Sequence, residues 1–552
     1  MVIRYFSTRG GDERLSFEEA VLTGLAPNGG LYIPDSIPSL PPNWVTEWQK
    51  LSFVELAHSV LSLYIPSSEI PSADLRTLVE RSYGAFRHPD TTPLHQLDDS
   101  GDRFVLELFH GPTFAFKDVA LQLLGNLFEY FLARRNKGKP LAQQERLTVV
   151  GATSGDTGSA AIYGLRGKPS ISIYILHPLG RVSPIQEAQM TTVTDANVHN
   201  LALRGTFDDC QDAVKALFAD AEFNARHHLG AVNSINWARI LAQTVYYFHA
   251  YLALVKAKGE GVKVQFVVPT GNFGDVLAGW YATRMGLPTG APLGIATNSN
   301  DILARFWETG VYATAAEDSV TEAPSDPTVP SHGASDGKQA SSAVKETLSP
   351  AMDILVSSNF ERLLWYLANE TGANAGETVA GWMSKVKADG RVSVPVSVLE
   401  AARKEFVATR ASDNEVRPAA FYAVAYLIQH AMQTTETIKK HFDSTKPYVA
   451  DPHTAVGLYA SSKFASQIPL GTIQVILATA HPAKFSAAVE SALSSYNSFN
   501  FENDVLPEEF KGLLQRERRV VEVGGLADVR RVIEETEGRR ASEAAPEGGA
   551  SV

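Results

Sequence analysis

Cysteine is almost absent from this chain, since Cys210 is the only one among 552 residues. A single thiol excludes an intramolecular disulfide framework and any zinc site built from several thiolates. We therefore expect a cytoplasmic protein without a bound metal. Basic residues are also in deficit, because 49 Lys and Arg stand against 61 Asp and Glu. The net charge of −12 argues against a general binder of nucleic acid or anionic membranes.

Long apolar runs are missing as well. The most apolar long stretch, 240–255, is interrupted by Gln243, Thr244 and His249. It is also shorter than the roughly 20 residues that span a bilayer. The N-terminal ten residues are too polar for a signal peptide. The sequence therefore predicts a buried helix over 240–255 and no membrane association.

The common ligand motifs do not occur either. No G-x-x-x-x-G-K precedes a Ser or Thr, so a P-loop is not supported. No G-x-G-x-x-G follows a predicted strand, which weakens a dinucleotide site. In Gly151-Ala-Thr-Ser-Gly155 the serine is one place late for a nucleophile elbow, and no H-E-x-x-H occurs. The predicted sheet therefore serves another ligand.

Short β-branched runs alternate with helical patterns along most of the chain, and such alternation predicts an α/β fold with a parallel sheet covered on both faces. The runs are 147–150, 171–176, 198–203, 264–268 and 293–296, with a late candidate at 473–478. We expect a mixed α+β N-terminal domain, an α/β core with a smaller mobile subdomain, a disordered insertion, a continuation of the large domain with helical additions, and a disordered tail. These five parts cover, in that order, residues 1–100, 101–314, 315–349, 350–537 and 538–552.

A first glycine-rich loop follows the strand predicted at 147–150. It contains Ser154, Gly155, Asp156 and Thr157, and a helix starts near Thr157. Small residues let main-chain N–H groups point at an anion, and the helix N-terminus adds partial positive charge. The loop would suit a carboxylate or a phosphate. An ordinary strand–helix turn with polar caps explains it equally well.

A second such loop follows the strand at 264–268 and also precedes a helix. Its residues Gly271, Asn272, Phe273, Gly274 and Asp275 could form a concave set of donors around a phosphate. The same alternative of a plain turn applies. Two such loops at strand ends favour a ligand, because ligands of open α/β sheets bind at the carboxyl ends of strands.

Lys117 is the third feature. It follows Phe114 and Phe116 and opens a predicted helix. The helix dipole opposes a cation there and the aromatic rings exclude water, so both favour the neutral amine of a Schiff-base lysine. The alternative is a surface lysine extending past two core phenylalanines. A reactive amine with a phosphate loop is the combination that pyridoxal 5′-phosphate requires, and the remaining loop would hold an amino-acid carboxylate.

Eight strings occur in order over nearly the whole chain: Tyr5-Phe-Ser-Thr-Arg-Gly10, Gly24-Leu-Ala-Pro-Asn-Gly-Gly-Leu-Tyr-Ile-Pro34, His110-Gly-Pro-Thr-Phe-Ala-Phe-Lys-Asp118, Ser154-Gly-Asp-Thr-Gly-Ser-Ala-Ala161, Asn233-Ser-Ile-Asn-Trp-Ala-Arg239, Pro269-Thr-Gly-Asn-Phe-Gly-Asp275, Asp451-Pro-His-Thr-Ala-Val-Gly457 and Thr479-Ala-His-Pro-Ala-Lys-Phe485. Together they resemble the threonine synthase family, in its long fungal and enterobacterial branch. The resemblance implies a fold-type II pyridoxal-phosphate enzyme, similar to the tryptophan synthase β-subunit. It also implies open, twisted, mostly parallel sheets with helices on both faces.

The resemblance also implies residue roles. Lys117 would bond covalently to the cofactor, and the hydroxyl of Thr479 would face its pyridine nitrogen. The remaining cofactor contacts would come from Gly271, Asn272, Phe273, Gly274 and Asp275. The substrate would be held by Ser154, Gly155, Asp156, Thr157, Asn233, Ser234, Asn236, Arg239, His453 and Thr454. Arg239 would take an anionic group, because its planar fork suits phosphate. The residues from Asn233 to Asn236 could instead be helix caps, and His453 a core histidine.

The implied reaction converts O-phospho-L-homoserine and water to L-threonine and phosphate by γ-elimination and β-addition. Lys117 would remove the Cα proton, while the smaller domain closes over the site. This small molecule would be the partner of a monomer or homodimer. Three alternatives remain open: a related phospho-lyase or serine/threonine dehydratase, a non-catalytic pyridoxal-phosphate-binding relative, and a dinucleotide-dependent oxidoreductase.

Overall fold

The computed structural model describes residues 2–314, 344–411 and 433–544, with side chains up to residue 540. None of the helices within these ranges is long and apolar enough to cross a membrane. The strands are β1 (Tyr5–Ser7), β2 (Tyr32–Pro34), β3 (Leu94–Gln96), β4 (Arg103–Glu107), β5 (Leu147–Ala152), β6 (Ile171–Pro178), β7 (Val198–Leu203), β8 (Leu229–Gly230), β9 (Lys263–Pro269), β10 (Leu293–Thr297), β11 (Val311–Ala313), β12 (Arg391–Ser393), β13 (Phe406–Arg410), β14 (Thr472–Ala478) and β15 (Val521–Val523).

The α-helices are α1 (Phe17–Thr23), α2 (Trp44–Trp48), α3 (Phe53–Tyr64), α4 (Ser72–Tyr83), α5 (Lys117–Asn136), α6 (Asp156–Leu165), α7 (Pro184–Thr191), α8 (Phe207–Ala219), α9 (Ala221–His227), α10 (Trp237–Lys258), α11 (Gly274–Met285), α12 (Ile302–Thr309), α13 (Phe360–Glu370), α14 (Ala375–Asp389), α15 (Val396–Glu405), α16 (Gln433–Phe442), α17 (Pro452–Phe464), α18 (Ser486–Leu493), α19 (Phe501–Asp504) and α20 (Leu526–Ala544). Short 3₁₀ turns cover Leu141–Gln143, Pro350–Met352, Pro482–Phe485, Glu508–Phe510 and Leu513–Gln515.

The larger sheet has six strands in the order β13-β10-β9-β14-β4-β3. All neighbours are parallel except β3, which runs antiparallel to β4. The late strand β14 lies between β9 and β4, and all of its residues are buried. The predicted strand at 473–478 is therefore confirmed, and it occupies the middle of the sheet.

The second sheet is entirely parallel, with the order β15-β7-β6-β5-β8. Its strands β5, β6 and β7 are the runs predicted from residue 147 to residue 203. Buried helix α10 contains the apolar stretch 240–255 and confirms that prediction. The α/β class with mostly parallel sheets is thus confirmed.

Two predicted boundaries were wrong. The insertion expected over 315–349 ends earlier, because 344–349 pack against the protein: Ser349 is fully buried, and the Thr347 hydroxyl donates to Asp353 at 2.7 Å. Helix α20 continues past the tail boundary at residue 538, and Arg540 donates to Ser172 and to the carbonyl of Pro169. The rest of both segments, 315–343 and 545–552, lies outside the described residues, as does 412–432 of the predicted large-domain continuation.

Helices α5 and α6 cross at two glycines, and this contact positions the site. A Cβ on Gly125 would lie 1.9 Å from the carbonyl oxygen of Gly164, so only glycine permits the observed approach. Each glycine lies eight residues after the first residue of its helix, Lys117 in α5 and Asp156 in α6. These two N-terminal residues lie close together, with Nζ of Lys117 3.7 Å from Oδ2 of Asp156.

Candidate active site

Three parallel neighbours of the larger sheet, β4, β14 and β9, end at the same edge. The segment to Lys117 follows β4, Thr479 follows β14, and the loop 270–275 follows β9. The N–H of Phe116 donates to the carbonyl of Thr479 at 2.8 Å, which fixes Lys117 beside it. The fold therefore brings the predicted lysine, the predicted hydroxyl and the predicted phosphate loop to one edge.

Lys117 is buried, with 8% of its surface exposed. Its Nζ lies 3.7 Å from Oδ2 of Asp156 and 5.2 Å from the centre of the Phe116 ring. Burial lowers the pKa of Lys117; Asp156 opposes this, whereas the positive charges of Lys484 and Arg239 add to it. A lowered pKa increases the fraction of free amine, the form that attacks a carbonyl carbon.

Two side chains tether the loop after β9 by donating hydrogen bonds to its carbonyl groups. The carbonyl of Gly271 accepts from Ser357 Oγ at 2.6 Å, and that of Asn272 accepts from Asn359 Nδ2 at 3.0 Å. In a trans peptide the following N–H points the opposite way, so the N–H groups of Asn272 and Phe273 point away from these tethers. Within the described chain neither N–H makes a hydrogen bond. These two N–H groups can therefore donate hydrogen bonds to an anion.

Phe273 adopts a left-handed backbone conformation, with φ of 65°. This conformation costs free energy for a residue with a side chain. The ring is buried against Phe360, Trp307 and Phe406, with centroid distances of 5.3, 6.2 and 5.7 Å. Core packing thus stabilises the strained turn that aims the two N–H groups.

Asp275 is the second residue of α11, and its buried side chain lies beside two tyrosines. Its Oδ1 accepts hydrogen bonds from the hydroxyls of Tyr246 and Tyr247, while Oδ2 has no partner within the described residues. Burial raises the pKa of Asp275 to about 7. A protonated carboxyl can donate from Oδ2. The free N–H groups and this orphaned oxygen are chemically suited to a phosphate ester, and so to pyridoxal 5′-phosphate.

The loop after β5 differs from expectation at Asp156. Its Oδ1 accepts from Gln186 Nε2 at 2.7 Å and forms an ion pair with Lys484 Nζ, also at 2.7 Å. Burial raises the pKa of Asp156, but Lys484 and Lys117 lower it more, to well below its ordinary value. This carboxylate is therefore an internal counter-ion, so any contact of Asp156 with an anionic substrate would not come from its side chain. The remaining candidates for that role are the exposed Ser154, the buried Gly155 and the partly buried Thr157.

Arg239 is a buried cation without a counter-ion. Its Nη1 donates to the carbonyl of Val232 at 2.9 Å, Nε has no partner, and no carboxylate in the described ranges pairs with it. Burial lowers the pKa of Arg239 to about 10, so it remains protonated at neutral pH. Because Lys117 responds to its charge, this guanidinium lies near the reactive amine. An anionic ligand group would supply the missing negative charge.

The residues just before α10 divide into two kinds. Asn236 is a buried helix cap: its Oδ1 accepts from the N–H of Ala238, and its Nδ2 donates to the carbonyl of Val21. Asn233 is exposed and Ser234 is partly buried. The helix-cap alternative therefore describes Asn236, while Asn233 and Ser234 stay available to a ligand.

His453 and Thr454 are both bonded to Asp451. The His453 Nδ1 lies 2.8 Å from Asp451 Oδ1, and its Nε2 accepts from the N–H of Ala351 at 3.1 Å. A Cβ at Gly271 would lie 3.0 Å from the carbonyl oxygen of Ala351. His453 is thus a core histidine with both nitrogens used, and it holds the segment facing Gly271. Both side chains thus have hydrogen-bond partners inside the protein, and their contact with substrate stays a prediction.

Two buried basic residues of this region, Lys484 and Arg362, could not be singled out from the sequence. Lys484 lies in the string from Thr479 to Phe485, but nothing local shows that it reaches Asp156. Arg362 is fully buried and donates to the carbonyls of Tyr32 and Ile235 and to Asn359. Arg362 thus links the N-terminal segment and the 233–236 loop to Asn359, which holds the 271–275 loop. These contacts bridge up to 330 residues, so no short motif could reveal them.

The fold and the site define a pyridoxal-phosphate-dependent enzyme of fold type II. The family model described as pyridoxal-phosphate dependent enzyme matches residues 86–365, consistent with the buried lysine and the phosphate loop. The models for the threonine synthase N terminus and C-terminal region match residues 4–83 and 454–533. The chain belongs to the threonine synthase family.

Individual relatives agree over nearly the full length. The threonine synthase of Schizosaccharomyces pombe is 56% identical over 526 residues, covering 94% of this chain and 95% of the relative. The crystal structure of threonine synthase from yeast matches with a TM-score of 0.85 and 48% identity, covering 97% of this chain and 99% of that one. A threonine synthase from Brucella melitensis, described as bound to pyridoxal phosphate, matches with a TM-score of 0.80 and 40% identity, covering 97% and 99% of the two chains.

Proposed function

We propose that this chain converts O-phospho-L-homoserine and water to L-threonine and phosphate. One observation carries the proposal: two separate groups that can bind an anion accompany the buried amine of Lys117. The N–H groups of the loop after β9 lie at the same edge of the larger sheet as the segment that carries Lys117. The guanidinium of Arg239, which no carboxylate of the described residues pairs with, lies close enough for its charge to lower the pKa of Lys117. The cofactor brings one phosphate to such a site, and a phosphorylated amino acid brings the second.

The residues of this chain would divide the binding between them. The N–H groups of Asn272 and Phe273, together with Asp275, would hold the cofactor phosphate, with Gly271 and Gly274 in the same loop. The hydroxyl of Thr479 would be the partner of the ring nitrogen. Ser154, Gly155 and Thr157 bind the substrate carboxylate. Asn233, Ser234 and Arg239 bind the substrate phosphate, where the charged fork supports a bidentate contact.

Pyridoxal phosphate, when bound, supplies an electron sink that makes the substrate Cα proton acidic. Nζ of Lys117 would be the covalent attachment point (a Schiff-base lysine), and as a free amine it would take the Cα proton of the bound substrate. Burial lowers the pKa of Lys117, which favours the free amine, and it excludes bulk water. Arg239 would stabilise negative charge on the phosphate as a Cβ proton is lost and the Cγ–O bond breaks. Water would then add at Cβ, and protons returned to Cγ and Cα would complete L-threonine.

Product analysis tests this function directly. The purified holoenzyme should release phosphate and L-threonine in equal amounts from O-phospho-L-homoserine and react far more slowly with L-serine. The Lys117→Ala variant controls for contaminating activity and should release neither product. Release of only ammonia and a 2-oxo acid would assign the chain to the dehydratase alternative and contradict the proposal.

Two predictions from the sequence, the cellular location and the oligomeric state, remain predictions. The cytoplasmic location fits a chain with one buried cysteine and no membrane-spanning helix in its described part. The monomeric or homodimeric state can be measured by light scattering, and a larger assembly would contradict it.

A further inference from the structure

A second lysine lies inside the site, on the opposite side of Asp156 from Lys117. Lys484 is 1% exposed, and its Nζ lies 2.7 Å from Asp156 Oδ1 and 2.7 Å from the carbonyl oxygen of Thr113. Lys117 contacts the same carboxylate only at 3.7 Å. Two buried amines therefore share one negative charge, and Lys484 holds the closer position.

No other nearby charge in the described part of the chain compensates Lys117 for its longer contact with Asp156. Besides Asp156 of α6 and Lys484 of the turn Pro482–Phe485, Lys117 feels the positive charge of Arg239 from α10. The neighbouring carboxylate of Asp118 accepts from the N–H and the hydroxyl of Thr113, and it also interacts with the charge of Lys484. Among the described residues, Lys117 thus has one carboxylate partner and two nearby positive charges. The group without full compensation is the one that gives up its proton most readily in a dry environment.

We propose that Lys484 is a positioning residue: its ammonium group pairs with the carboxylate of Asp156 and so leaves Lys117 as the free amine. Nζ of Lys117 can then attack the cofactor aldehyde: a carbon–nitrogen double bond forms, and the oxygen leaves as water with both amine protons. The same free amine is the base needed at the substrate Cα, and only this second part rests on the proposed function. Without Lys484, Asp156 would pair with Lys117 and hold it as an ammonium ion.

The rate at which cofactor-free protein attaches pyridoxal 5′-phosphate, measured against pH by absorbance, tests the proposal. Borohydride trapping and mass spectrometry verify attachment at Lys117. In Lys484→Met we expect attachment at neutral pH to be at least about tenfold slower and the profile to move about one unit or more to higher pH. Lys484→Arg, which keeps the charge, should retain the wild-type profile.

Charge balance provides the sharper comparison. The double variant Asp156→Asn/Lys484→Met removes both charges, so its profile should return to within about one unit of wild type. Lys168→Met is the matched control, because Lys168 is also buried and pairs with Glu129 at 3.0 Å away from the site. It should lower stability without moving the attachment profile.

An unchanged profile in folded Lys484→Met would overturn the proposal. If that variant does not fold, Asp156→Asn decides: it leaves Lys484 uncompensated beside Lys117, so the profile should move to lower pH, and an unmoved profile rejects the idea. Attachment is read without substrate. Normal attachment by a wild-type protein that forms no threonine would therefore reject the proposed function and leave this inference standing.

Discussion

Asp275 and Arg239 are both buried ionisable groups without an opposite charge, and they respond differently. Asp275 is buried beside two tyrosines, and this burial raises its pKa to about 7, so it binds a proton more readily. Arg239 keeps its proton, because even a pKa lowered to about 10 leaves the guanidinium charged at neutral pH. The protein therefore contains a carboxyl that is partly protonated near neutral pH and, separately, a guanidinium that carries a full positive charge.

The proton on Asp275 predicts a pH dependence of stability. Its pKa is raised from 3.8 to about 7, so the folded protein holds this proton more tightly than the unfolded chain. The contribution is complete below about pH 4 and is lost as the pH rises through about 7, at a cost of roughly 4 kcal/mol. Urea unfolding of cofactor-free wild type and Asp275→Asn should show their free energies of unfolding diverging across this window. Parallel profiles would contradict it.

The charge of Arg239 predicts a substrate-specific loss. In Arg239→Gln the bidentate, charge-assisted contact is gone, at a cost of about 2–3 kcal/mol, so kcat/KM for O-phospho-L-homoserine should fall about 30- to 150-fold. Absorbance of the attached cofactor should be retained. Arg166→Gln, at a pair on the surface with Asp195, serves as the control and should leave kcat/KM unchanged. Loss of cofactor with unchanged KM in Arg239→Gln would argue against a substrate contact.

At the scale of elements, the crossing of α5 and α6 decides how near Lys117 and Asp156 lie. Alanine is normally the better helix residue by roughly 0.5–1 kcal/mol. In Gly125→Ala the added methyl group would meet the main chain of α6, and overpacking of this kind costs about 1–3 kcal/mol or more. We therefore expect a lower free energy of unfolding by urea and slower attachment of cofactor.

Gly381→Ala provides the comparison for this prediction. Gly381 lies in α14, and a Cβ there would meet nothing within 4 Å. That variant should be as stable as wild type or up to about 1 kcal/mol more stable. Equal effects of the two substitutions would show that the close approach of α5 and α6 is not required.

At the scale of the whole molecule, helix α13 and the preceding Asn359 connect the N-terminal segment to the loops 233–236 and 271–275. Arg9 forms two hydrogen bonds with Glu361, at 3.0 and 2.8 Å, and the Thr8 hydroxyl donates to the same carboxylate at 2.6 Å. The next residue, Arg362, reaches the 233–236 loop. The N-terminal domain therefore supports the site through neighbouring residues of one helix.

This connection predicts a remote effect on cofactor binding. Glu361→Gln removes the charge of a carboxylate that is 6% exposed, so the free energy of unfolding should fall by about 1–3 kcal/mol and the Kd for pyridoxal phosphate should rise. Glu370→Gln is the control on the same helix: its pair with Arg284 is 31% and 40% exposed and should contribute under about 1 kcal/mol. Calorimetry and cofactor titration measure both quantities. An unchanged Kd in Glu361→Gln would refute the connection.

The sequence alone determined the α/β class, the strands β5, β6, β7, β9, β10 and β14, the buried helix α10 and the family. These features depend on neighbouring residues: apolar β-branched runs, glycine-rich loops at strand ends, and Lys117 behind two phenylalanines. Only the tertiary structure decided which charges meet. Lys484 donates a hydrogen bond to the carbonyl of Thr113, which is 371 residues away in the sequence, and Asp156 is its counter-ion. The Nε2 of His453 accepts a hydrogen bond from Ala351 inside the core. Such contacts depend on how helices and sheets pack, and pairing between distant buried charges leaves no local pattern in the chain.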